Sequence, residues 1–307
     1  MSVSKAYTLY CATIGANFLD QMENQNYDAG IEEMLIQANG SIYNQFAAIG
    51  LQQPKLDFTT SNLFAALAQG LLGYEIGAGL TNTSAAFYFR QFQAQGGFLG
   101  GSVQLKMAMT LGSIFPRKLS ARTGERATLD MEVFPIFDGT NSPFVITNNV
   151  ALPTGSPAIS HVHTAGPAII NGVAIEGIQS IDVDFGIKEQ LLKSDGEAFN
   201  SFIGTPSVSP SITLETYDMS VLSSLGAATN ISSSTELFLV GIQPGGTRIP
   251  YTTANHIGMG MTAGMIYVTE GSAKNGEVGT IKIKIIPIFD GTNAPITFNT
   301  ATAITLP

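Results

Sequence analysis

"PIFDGTN" occupies residues 135–141, and the same seven letters return at 287–293. A turn needs its Asp-Gly only once, so a chain that spells the phrase twice has copied something larger. Working outward, "GERATLDMEVFPIFDGTNSP" (124–143) lies over "GEVGTIKIKIIPIFDGTNAP" (276–295) without a gap, and "MAMTLGSI" (107–114) lies over "MGMTAGMI" (259–266). At a slightly shorter offset, "FRQFQAQGG" (89–97) answers "FLVGIQPGG" (238–246), and "TNTS" (81–84) answers "TNIS" (229–232). Upstream, "GIEEMLIQANGSIYNQF" (30–46) resembles "GIKEQLLKSDGEAFNSF" (186–202), so that Pro54, Thr60 and Gly70 correspond to Pro210, Thr216 and Gly226. Both stretches close on Leu-Pro, at Leu152-Pro153 and Leu306-Pro307. Loop insertions and deletions account for the small drifts in offset. The chain reads as a tandem duplication. Its units, 1–153 and 154–307, have ordinary domain size and meet in the linker-like "ALPTGSPAIS".

The period inside each unit is two. Ile281, Ile283 and Ile285 alternate with Lys282 and Lys284, and at the equivalent place Leu129, Met131 and Val133 alternate with Asp130 and Glu132. One face is buried and one is wet, as in an antiparallel sheet. "KLDFTT" and "SITLETY", "SAAFYFRQF" and "TELFLVGI", "SVQLKMAMTL" and "GMIYVT", "PFVITNNVAL" and "APITFNTATAITL" are further strand candidates. Helical signal is confined to "LFAALAQGLL" after the capping stretch "TTSN", to the equivalent "DMSVLSSLG", and to part of "NFLDQMENQNYDAGIEEMLIQA". In the quoted phrase, Asp138-Gly139 and Asp290-Gly291 are turn pairs, with Asn141 and Asn293 bonding locally, so the phrase reads as strand, tight turn, strand. Roughly eight strands and one helix per half predict an all-β fold of two tandem jelly rolls, a double jelly roll with one short helix per half.

Composition narrows the function classes. The chain has 307 residues, 44% apolar, but only 12% charged. That is about half the usual share of charge, which suits either a membrane or a surface covered by other copies. No run of about 20 apolar residues is present for a spanning helix. The amino terminus makes a poor secretory signal, because Thr, Tyr and Cys interrupt its apolar stretch; an unprocessed protein made inside the cell is expected. The net charge is −9, with only 14 Lys and Arg, so direct binding of nucleic acid is not expected. The basic group Arg90, Arg117, Lys118, Arg122 and Arg126 reads as a solvated or interface edge. Cys11 is the single cysteine and reads as a small buried apolar residue.

Motifs of chemistry are sparse. "GSPAISHVH" (155–163) begins like a cupin metal motif, and in a strand His161 and His163 would share a face. The Glu that should follow is missing, and the pair has no counterpart in the first half, so a solvated or interface pair is favoured. "GGFLGG" (96–101) lacks the Lys-Ser/Thr of a phosphate loop. No catalytic residue and no cofactor is expected. The alternative for the DGTN turns is a structural divalent cation such as calcium, opposed by there being one carboxylate per turn.

A duplicated jelly roll of this length, poor in charge and without catalytic motifs, resembles the major capsid proteins of tailless icosahedral bacteriophages with an internal lipid membrane, the corticovirus, tectivirus and finnlakevirus lineages. The resemblance rests on architecture and covers residues from about 20 to 307. It implies a homotrimer of six upright barrels with a hexagonal outline, packed into a virion shell made in the host cytoplasm. It implies penton and minor capsid proteins as further partners and a viral membrane at the inner face. Within it, Asp130 and Glu132 of one copy are expected to attract Lys282 and Lys284 of a neighbour. Two other readings remain beside it: a tandem cupin-like metalloenzyme using His161 and His163, and a duplicated lectin-like binding protein, weakened by the absence of Trp.

Overall fold

The computed structural model describes residues 5–15, 17–39, 41–68, 84–93, 96–154, 161–193, 197–226, 228–273, 275–276 and 278–307. The first half runs β1 (Tyr7–Ile14), β2 (Asn17–Leu19), β3 (Met22–Asp28), β4 (Ile31–Gln37), β5 (Asn44–Gln52), β6 (Lys55–Thr60), α1 (Leu63–Ala68), β7 (Ala85–Gln91), β8 (Gln104–Met109), β9 (Gly112–Arg122), β10 (Thr128–Pro135) and β11 (Val145–Val150). The second half repeats it with β12 (Val162–Ile170), β13 (Val173–Ile175), β14 (Ile178–Asp184), β15 (Ile187–Leu192), β16 (Phe202–Val208), β17 (Ser211–Thr216), α2 (Val221–Leu225), β18 (Ala228–Asn230), β19 (Thr235–Ile242), β20 (His256–Met261), β21 (Gly264–Ser272), β22 (Thr280–Pro287) and β23 (Thr297–Thr302). Among the described residues the protein is nearly all-β, with two short helices.

The two halves are wound alike. The first contributes a sheet ordered β2-β1-β7-β8-β11, and the second a sheet ordered β13-β12-β19-β20-β23, strand for equivalent strand. They face one shared sheet of four strands from the first half and five from the second, ordered β3-β6-β10-β9-β14-β17-β22-β21-β18. The halves therefore join edge to edge, β9 of the first pairing antiparallel with β14 of the second. Two hairpins, β4–β5 and β15–β16, stand outside these sheets as arms.

Strict alternation builds the shared sheet. In β10 and β22 the apolar residues Leu129, Met131 and Val133, and Ile281, Ile283 and Ile285, are buried, while the charged residues between them are half-buried on the other face. Across the sandwich, Phe58 of β6 meets Phe87 of β7 edge to face at 5.5 Å. One continuous core cluster runs through both halves, and each fully buried Ile, Leu or Phe in it contributes about 1.5–3 kcal/mol. In α1, Asn62 caps the first turn, its Oδ1 accepting from the Ala65 N–H at 3.1 Å.

Two expectations change. Residues 17–38 are strands rather than partly helical: β4 pairs with β5 along its length, so partner strands override the helix propensity of "EEMLIQA". The match of 89–97 to 238–246 moves by one residue, because Phe87 lies opposite Met107 and Leu237 opposite Met259. A slip of one would have put these buried side chains on the wet face. The DGTN phrase joins strands of different sheets, β10 to β11 and β22 to β23, so its turn is a corner between layers.

Candidate assembly interface

The corners are built twice from the same bonds. Asp138 Oδ1 accepts from the N–H groups of Thr140 (2.9 Å) and Asn141 (2.7 Å), and Oδ2 from Asn141 Nδ2 and Thr110 Oγ1, both at 2.9 Å. Asp290 accepts from Thr292 and Asn293 N–H (2.8 and 2.6 Å), Asn293 Nδ2 and Thr262 Oγ1 (both 2.7 Å). The bonds from Asn141, and from Asn293 in the second copy, are the largest cause holding each carboxylate well below its usual range. Gly139 and Gly291 supply the positive φ, 88° and 97°. Both oxygens of each Asp accept hydrogen bonds within the corner. Among the described residues no group of three His, Cys, Asp or Glu stands ready to hold a metal.

The joint between halves carries a cluster of ion pairs. β9 places Arg117, Lys118 and Arg122 along it. Arg117, at a bulge in the β9–β10 register, donates through Nη1 to the Ile187 carbonyl (2.6 Å) and through Nη2 to Glu189 (2.7 Å), and also binds Glu132. Burial opposes its charge, but the bonds to Glu189 and Glu132 outweigh it and raise its pKa. Lys118 pairs with Asp182 at 3.2 Å, and Ser120 Oγ donates to the same carboxylate at 2.7 Å. The rest of the expected basic group is dispersed: Arg126 pairs with Glu23, and Arg90 lies over Phe98 in the other sheet.

The β15–β16 arm reaches from the second half onto the first. The Phe137 N–H donates to the Asn200 carbonyl and the Gln52 N–H to the Ala198 carbonyl, both at 2.8 Å. The Phe137 and Phe199 rings lie 5.6 Å apart. Gly186 makes the base of this arm, with φ 57° and no room for a Cβ, which would stand 2.0 Å from the Ser209 carbonyl oxygen. Gly30 repeats the device under the β4–β5 arm, 2.1 Å from Gln53 O.

At the two free ends of the molecule the equivalent residues are uncovered. Ile136 is 4% exposed, whereas its copy Ile288 is 54% exposed and the adjacent Phe289 40%. Ile187 is 5% exposed, whereas Ile31 is 49% exposed; Tyr43, the copy of Phe199, is 73% exposed. Met34, Leu35, Ile36, Ile42 and Phe46 complete an apolar arm open to solvent.

Of the four charges expected to act between copies, three have partners within their own chain. Asp130 accepts from Thr59 Oγ1 (2.7 Å), Glu132 binds Lys55 (3.1 Å) and Arg117, and Lys282 binds Glu270 (2.8 Å). These three are engaged inside their own chain. Lys284 is half-buried on the wet face, with Thr213 and Tyr267 beside it on the neighbouring strands.

His161 and His163 do share one face of the β12 segment, ring centroids 5.1 Å apart. A third histidine, invisible to motif reasoning because it lies almost a hundred residues away, is drawn toward them by the pairing of β12, β19 and β20. His256 is fully buried. Its Nδ1 accepts from the Gly241 N–H (3.1 Å), which leaves Nε2 as the donor to the Pro250 carbonyl (3.0 Å). With both nitrogens used, it offers no lone pair to a metal. His163 is buried, and its Nε2 has no hydrogen-bond partner among the described residues. Burial, then its His161 and His256 neighbours, pushes its pKa down to about 4.

No protein-family model matches the sequence, and no curated protein is significantly similar to it.

Proposed function

We propose that the chain is a structural shell protein whose copies assemble through the sides and ends of their twin β-sandwiches, forming a pseudo-hexameric homotrimer that tiles an icosahedral virion over an internal membrane. The observation that carries this reading is the open apolar arm together with Ile288 and Phe289. The copies of Ile31 and Ile288, Ile187 and Ile136, are buried where the halves meet, and apolar patches left open on a solvated surface mark an interaction site. The scarcity of charge supports the same reading. It rests on the side-by-side pair of sandwiches and not on the jelly-roll winding. In a jelly roll the first and last strands of a barrel lie together, whereas here β1 and β11 are separated by the β7–β8 pair. The histidine pair gives the metalloenzyme alternative two ligands and a third histidine already occupied. Sedimentation velocity across a concentration series, with electron microscopy of the fractions, tests the proposal. Trimers of hexagonal outline support it; a monomer at every concentration defeats it.

A further inference from the structure

The junction between the halves is a template for a junction between copies. It consists of a giver, β14 with the β15–β16 arm, and a receiver, β9 with the corner at Ile136 and Phe137. The first half contains a second giver, β3 with the β4–β5 arm, and the second half a second receiver, β21 with the corner at Ile288 and Phe289. These two are the free ends of the molecule. β3 is the last strand of the shared sheet on one side. On the other side β18 covers only Met265–Tyr267 of β21. The residues equivalent to the β9 stretch that receives β14, Glu270–Ser272, remain exposed. Even the irregularity is copied: the bulge at Arg117 recurs at Thr269.

We infer that copies of this chain join head to tail, the β3 edge and β4–β5 arm of one seated on the β21 edge and Phe289 corner of the next, in the register of the β14–β9 joint. Tyr43 then stacks on Phe289 as Phe199 does on Phe137, and the Phe289 N–H donates to the Asn44 carbonyl. Charge complementarity is kept by different residues. Inside the chain the arm residue Glu189 meets Arg117. Between copies its equivalent, Glu33, finds Thr269 at that place and a cation one strand further, Lys284, where the first half has Glu132. Directly across the joint Asp28 faces Glu270, and Lys282 at 2.8 Å neutralises the latter. The contact is heterologous, so each copy uses both ends and the assembly is a ring or a filament. The inference deepens the shell reading and rests on it only for the premise that copies associate.

Cross-linking between copies that each carry one exposed cysteine tests the pairing. Tyr43→Cys and Phe289→Cys both sit on exposed side chains, and the native Cys11 is buried. Treated with a short bismaleimide, an equimolar mixture of the two variants should yield covalent dimer, and either variant alone should yield none. Glu33→Lys and Lys284→Glu should each weaken association roughly tenfold, and the two together should restore it. Circular dichroism confirms that each variant is folded. Dimer from Tyr43→Cys alone would show a two-fold contact and overturn the inference. Oligomers that form normally but neither cross-link in the mixture nor respond to the charge changes would overturn it too, leaving the shell reading intact. Wild-type protein that stays monomeric would overturn both.

Discussion

The burial of His163 makes the stability of the fold depend on pH from about 6.5 down to about 4. Unfolded, this histidine titrates near 6.5; folded, burial holds it at about 4. Above pH 6.5 it is neutral in both states and contributes no pH dependence. Below 6.5 the unfolded chain takes up a proton that the folded chain refuses, so stability falls as the pH falls. The slope approaches about 1.4 kcal/mol per pH unit and ends near pH 4, a total of about 3 kcal/mol. His161, half-buried and also shifted down by burial and by His256, acts in the same direction. Urea unfolding at pH 7, 6 and 5, at one fixed protein concentration, measures the slope in the wild type and in His163→Leu. The wild type should lose about 1 kcal/mol or more relative to the variant between pH 6 and pH 5. Parallel lines for the two proteins, or a wild type that gains stability on acidification, would refute the reasoning.

Three other outcomes follow from particular contacts. Gly186→Ala puts a Cβ in the left-handed region against the Ser209 carbonyl and should cost about 3 kcal/mol in urea unfolding; Gly30→Ala should cost less, because its arm covers less, and should show instead as faster amide exchange across 31–52. Arg117→Met leaves Glu132 and Glu189 without their shared cation in a partly screened site, so about 1–2 kcal/mol should be lost; an unchanged denaturation midpoint would contradict the clamp. Burial, with Asp20 adding to it, pushes the Cys11 thiol up to about 12, so a thiol reagent at pH 8 should react with the denatured protein and leave the native protein unmodified.

Much of this was legible in the letters because duplication and alternation are both periodic signals. The Ile281, Ile283 and Ile285 ladder, the paired corners and the Asn62 cap needed no knowledge of distant partners. What escaped was long-range. The Asp-Gly pair fixes a turn, but whether the next strand returns to the same sheet is decided by packing across the sandwich. The segment 17–38 carries Glu, Met, Leu and Gln in helix-friendly order, and only its pairing with β5 and β6 makes it extended. Nor does any local rule reveal that Arg117 and Lys55 lie beside Glu132. His256 was passed over for the same reason: sheet order, not spacing, carries it toward His161 and His163.

The differences between the inner and outer joints have a physical logic once both are taken as the same contact. Inside the chain the linker holds the two surfaces together at high effective concentration. That joint can bury Ile181, Val183 and Leu119 and commit a half-buried Arg117 to a three-way clamp. The outer giver must survive alone in solution before assembly. Its equivalents of Ile181 and Val183 are Gln25 and Tyr27, the latter resting on Phe144 at 5.6 Å, and its clamp is reduced to one exposed Glu33. Edges left open invite indiscriminate pairing, and polar or charged residues along them restrain it. The outer joint should therefore be the weaker of the two, and salt should loosen it before it affects the fold. An outer joint that instead dissolved only together with the sandwiches would mean that it is not a softened copy of the inner one.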